Sequence, residues 1–98
     1  MIEIAIATPE GTEPVRGYRT DVDGLVAHRS KHGLGWCLTH DTSGHLILDG
    51  IRTLRDCRKA AKRLGEVLSD WTPEPQALRE LLPAGFRPRS VLQDAEQQ

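Results

Sequence analysis

The chain has 98 residues, 38 % of them apolar and 28 % charged, with a formal net charge of −1. This is enough for one domain with a single modest core; TIM barrels and two-half dinucleotide folds do not fit, and the balanced charge excludes a disordered polyelectrolyte. No apolar run approaches the roughly 20 residues of a membrane span, and the start MIEIAIATPE lacks the basic end and long apolar stretch of a secretory signal, so a cytoplasmic protein without a membrane partner is expected.

Ile2, Ile4 and Ile6 alternate with Glu3, Ala5 and Ala7, the period-two pattern of a half-buried strand. Two prolines and a glycine in Thr8–Pro14 predict a loop, and Val15–Thr20 a short extended segment with Tyr18 pointing inward. Asp21-Val22-Asp23-Gly24 reads as a turn into a strand over Leu25–Arg29, and the two glycines of Ser30–Gly35 predict a second loop. Trp36–His40 is the strongest strand signal: Trp36, Leu38 and His40 share one face, Cys37 and Thr39 the other. Asp41–Gly44 is a four-residue hairpin connection, with Gly44 free to take a positive φ, and His45–Asp49 returns as the partner strand.

The period then changes. Thr53, three residues before Asp56, marks a helix start. Leu54, Cys57, Ala60, Ala61, Leu64, Leu68 and Trp71 form one apolar stripe of a helix predicted from about Leu54 to Asp70, with Arg55, Arg58, Lys59, Lys62 and Arg63 opposite. A shorter second helix is expected from Thr72 as cap and Pro73 in the first turn, stopped at Pro83-Ala84-Gly85. The fold class is therefore α+β: an antiparallel meander of three to five strands, one long amphipathic helix on one face and a short C-terminal helix. Residues 1–86 form the single domain, and 87–98 a polar, frayed tail.

Enzymatic chemistry finds little support. Two cysteines, Cys37 and Cys57, are too few for a disulfide scaffold and read as reduced thiols, Cys57 as core filler. His28, His32, Cys37 and His40 lie near one another as candidate zinc ligands. In a regular strand, however, Cys37 and His40 face opposite ways, so surface histidines and a half-buried thiol are expected instead. The same parity separates them as a nucleophile pair. Asp21, Asp23 and Asp41 sit in turns, where carboxylates bond the local backbone, and no phosphate-binding glycine loop precedes a helix. The expectation is no enzyme, no catalytic residue, no metal site and no cofactor.

Charge is unevenly placed. Residues 15–63 carry ten basic and five acidic side chains, whereas the segments on either side are acidic. A basic centre suits phosphate contacts, for which Arg16, Arg19, Arg29, Lys31, Arg55, Arg58 and Lys62 are the candidates.

Trp36–Leu64 runs strand, Ser43-Gly44 turn, strand, then Thr53-Leu54-Arg55-Asp56-Cys57 opening a basic helix. This resembles the three-stranded-sheet-plus-helix DNA-binding modules, namely the arm-binding domains of tyrosine recombinases and the AP2-like fold. There a Trp-bearing strand, a Gly turn and a Thr-x-x-acid-Ala helix start recur; Cys57 stands here in place of the alanine. The resemblance implies a sheet that enters the major groove. Leu25–His28, Trp36–His40, Ser43-Gly44 and Asp70–Thr72 are also similar to small uncharacterised proteins of actinomycete phages and plasmids, which implies an accessory or regulatory protein of a mobile element. The expected partner is nucleic acid, met by the sheet and its basic residues. The alternative is a protein-binding module or inhibitor of a host factor, possible as a homodimer, using an edge strand or a sheet face with Val26 or Ile47 exposed.

Overall fold

The computed structural model describes residues 2–30 and 35–91, so Lys31 and His32 lie outside the described residues. Strands β1 (Ile2–Thr8), β2 (Gly11–Arg19), β3 (Leu25–Arg29), β4 (Trp36–His40) and β5 (Leu46–Ile51) form one antiparallel sheet in chain order. Helices α1 (Leu54–Val67) and α2 (Pro75–Leu81) follow. This is the expected α+β meander, with five strands.

The first hairpin is tighter than the sequence suggests. Thr8 pairs with Gly11, leaving only Pro9-Glu10 as the connection, and the Thr8 hydroxyl accepts from the Glu10 N–H and donates to the Gly11 carbonyl. Gly11, at φ +130°, takes the dihedral that other residues avoid. Pro14 therefore lies inside β2, opposite Ala5. It is tolerated because its nitrogen faces away from β1, toward an edge that β3 does not reach; β3 pairs only with Gly17–Arg19.

Helix α1 forms as its pattern dictates. The Thr53 hydroxyl accepts from the Asp56 N–H at 3.0 Å, and Cys57, Ala60, Ala61 and Leu64 are buried against Leu25, Ala27, Leu38, Leu48 and Ile51. The helix stops at Val67 rather than Asp70, because the chain leaves the helical path at Leu68 to deliver Trp71 into the core. There the indole N–H donates to the Leu64 carbonyl at 3.1 Å, which also accepts from the Leu68 N–H at the helix end. Gly65 costs helix propensity but allows close packing: a methyl group there would stand 2.6 Å from a Val22 methyl. The second helix is capped at Glu74 and begins at Pro75, two residues later than expected, because Thr72 is engaged elsewhere. Its N–H and hydroxyl both donate to the Asp70 carboxylate, and its carbonyl accepts from Thr42.

Two expectations are corrected. The packed unit does not end at residue 86, since Val91 is 6 % exposed and belongs to the core. The sheet face opposite α1 is not bare either. Ile4, Val26, Cys37 and Thr39 are all buried on it, Val26 at 3 % exposed. The reason is curvature: β1 swings round until the Ala7 N–H donates to the Gly44 carbonyl at 2.8 Å, so the first strand closes onto the β4–β5 connection. Register shifts along the β4–β5 pair accompany this bend, as bulges commonly do. Glycine permits the close passages. A Cβ on Gly17 would stand 2.8 Å from the Ala27 carbonyl, and one on Gly44 2.5 Å from that of Ala5. The concave side retains a cavity of about 200 Å³ between Ile6, His28, Cys37, Thr39 and Leu46.

Candidate nucleic-acid interface

Arg55, Arg58 and Lys62 follow one another at helical steps of three and four, which places them on one side of α1. With Lys59, Leu54 and Asp21 they line a shallow groove. Among the described residues, none of these four cations forms an ion pair; Arg63 pairs with Glu66, and Arg89 with Asp49. Their position runs against helix electrostatics. Arg55 stands in the first turn, where the partial positive charge of the helix end opposes it, Arg58 and Lys59 follow in the second, and the last turn carries no basic residue. The cation in the first turn costs a few tenths of a kcal/mol, about what it would contribute at the other end. An anion set against this end relieves that repulsion.

The sheet extends this surface. Tyr18 on β2, Arg29 on β3 and Trp36 on β4 project on the face that α1 partly covers, since Tyr18 opposes Ala27 and Arg29 opposes Trp36. The Arg29 guanidinium lies 5.2 Å from the Trp36 ring centre, the Trp36 and Tyr18 rings are 5.8 Å apart at a tilt of 59°, and the Arg58 guanidinium lies 5.9 Å from Tyr18. The result is a guanidinium–indole–phenol–guanidinium ladder that fixes two cations without neutralising them. Both rings are half-buried, and both arginines are exposed.

The candidate residues thus separate. Arg29 and Arg58 are joined by the ladder, Arg55 and Lys62 flank Arg58 along the helix, and Arg16 lies two residues from Tyr18 on the same face, opposite Glu3. Arg19 projects to the other face, opposite Val26, and stands apart from this group. Lys31 lies outside the described residues. Lys59, Trp36 and Tyr18 join the surface without having been chosen as candidates. Lys59 was legible in the helical spacing. The ladder depends on cross-strand register, which the sequence does not display.

The histidines depart from expectation. His28 and His40 are buried, 4 % and 1 % exposed, and only His45 of the described histidines lies at the surface. His28 donates from Nδ1 to the Arg29 carbonyl at 2.9 Å, which leaves Nε2 to accept from the Thr39 hydroxyl at 2.7 Å. These are internal hydrogen bonds of a buried imidazole. Among the described residues no group of three His, Cys, Asp or Glu side chains is placed to hold a metal ion. Both thiols are free and buried, and the Cys57 S–H donates to the Cys37 carbonyl at 3.4 Å. Burial pushes Cys57 up to about 12 and raises Cys37 as well, so neither presents a thiolate near neutrality. No helix among the described residues is long and apolar enough to cross a membrane.

Comparison with models of known families, with curated proteins and with solved structures finds no match to this chain.

Proposed function

We propose that this is a small, non-enzymatic nucleic-acid-binding protein, acting as an accessory or regulatory factor of a mobile element. The observation that carries the reading is the row Arg55, Arg58, Lys59 and Lys62, without ion pairs among the described residues and continued over the sheet by the Arg58–Tyr18–Trp36–Arg29 ladder. The phosphate backbone is the ligand such a surface fits. Helical cations neutralise consecutive phosphates, while the two guanidinium groups, held against rings, lose less freedom on binding than free arginines do.

The contact lies on the helix side, so the resemblance to sheet-in-groove modules is kept for the element order and not for the docking face. The protein-binding alternative drew on an uncovered sheet face; with Val26 buried, what supports it is the exposure of Leu46 and Leu81.

The test is fluorescence anisotropy on labelled duplex DNA from about 50 to 200 mM salt. Four to five neutralised phosphates give a log–log slope near −4 and a loss of about 250-fold over that range. Arg55→Glu, Arg58→Glu and Lys62→Glu together abolish binding, and Arg19→Glu leaves it unchanged. Affinity that is flat in salt, or a triple variant that binds as well as the natural chain, overturns the proposal.

A further inference from the structure

A second site, sharing no residue with the basic surface, lies between the β4–β5 hairpin and α2. It is a cleft of about 330 Å³ with eight apolar residues in its wall, among them Ile47, Leu82 and Phe86. Among the described residues its only polar side chains are His40, His45 and Arg79, and no carboxylate lines it. The wall is thus hydrocarbon plus nitrogen groups that can donate or carry positive charge.

His40 makes the cleft more specific. The Thr42 hydroxyl donates to the Thr72 carbonyl at 2.9 Å, so toward His40 it can only accept. Nδ1 of His40 and the Ser43 hydroxyl share a hydrogen bond of 2.7 Å. The contact from Nε2 of His40 to the Thr42 hydroxyl is 3.5 Å long, well beyond an ordinary N–H···O bond. A residue 1 % exposed thus has one ring nitrogen only weakly engaged within the protein, on the wall of a cleft that also carries an arginine. Arg79 is exposed and forms no ion pair among the described residues.

We infer that this cleft binds a small organic carboxylate, its aromatic or branched hydrocarbon body against Ile47, Leu82 and Phe86 and its carboxylate at Arg79. The volume is at the lower limit for ligand pockets, which selects a compact free acid. The inference does not depend on nucleic-acid binding.

The probe is 3-phenylpropionate, with 3-phenylpropanamide as its uncharged counterpart, followed by amide NMR shifts of the full chain. The acid saturates below about 10 mM, with shifts centred on residues 45–47 and 78–86, and the amide binds at least fivefold more weakly. Arg79→Gln, at an exposed position, removes that preference and leaves amide binding as it was. Equal binding of acid and amide, shifts centred elsewhere, or an unchanged preference in Arg79→Gln overturns the inference. A short peptide ending in phenylalanine that binds where the free acid does not would also overturn it, by assigning the cleft to chain termini.

Discussion

Gly44 and Gly50 share nearly the same backbone conformation, φ +75° and +67°, but not the same surroundings. A Cβ on Gly50 meets nothing within 4 Å, whereas one on Gly44 meets the Ala5 carbonyl at 2.5 Å, the Ala7 nitrogen at 2.9 Å and the Ile6 carbonyl carbon at 3.2 Å, all backbone. Alanine at either position carries the left-handed cost of about 1–2 kcal/mol, offset in part by the lower entropy of the unfolded chain. Gly44→Ala must in addition push β1 away. That breaks the Ala7-to-Gly44 hydrogen bond, worth about 1 kcal/mol, and lets water reach apolar side chains that the closure covers, Ile4 and Val26 foremost. Partial exposure of one such side chain adds about 1–2 kcal/mol. Gly44→Ala should therefore cost about 2–3 kcal/mol more than Gly50→Ala in urea denaturation, with faster amide exchange at Ala7. If the two variants differ by less than about 0.5 kcal/mol, within the noise for such a comparison, the closure of the sheet is not tight and the buried concave face loses its explanation.

Two further outcomes follow from local chemistry. Because burial raises Cys57 to about 12, the folded chain keeps a proton that the unfolded chain releases near pH 9; that contribution is complete below pH 8 and is lost on going from about 9 to 12, at up to ~1.4 kcal/mol per pH unit. Urea midpoints at pH 8 and pH 10.5 should converge in Cys57→Ala relative to the natural chain, and equal pH slopes in the two proteins would contradict the assignment. Thr53→Ala should destabilise by about 1 kcal/mol through loss of the Asp56 N–H acceptor, while Thr53→Ser, measured in the same urea series, should recover most of it.

Much of the architecture is legible in one dimension because it rests on short-range periodicity. The alternation of Ile2, Ile4 and Ile6, the Trp36–His40 strand, the Asp41–Gly44 turn and the stripe from Leu54 to Leu64 each encode a local geometry directly. Features that depend on long-range register are not legible. Nothing in Thr8–Pro14 shows that Pro14 will sit in a strand, since that depends on where β3 stops pairing. The burial of His28 depends on Thr39 lying across from Val26, one pair along, and on β1 folding over both. The interface divides in the same way. Arg55, Arg58 and Lys62 are predictable as neighbours from helix spacing, whereas parity alone separates Arg16 from Arg19 by a three-residue step. The four-group ladder appears only when β2, β3, β4 and α1 are aligned.

The first hairpin has one more consequence, for life in a crowded solution. A strand at the border of a sheet offers a rail of free amides on which another molecule can template. Here the chain's own Gly44 carbonyl occupies the rail of β1 at Ala7, and Pro14 presents no amide on the opposite rail of β2. Both borders of the hairpin are interrupted by the protein itself, a safeguard against intermolecular polymerisation built from one glycine and one proline.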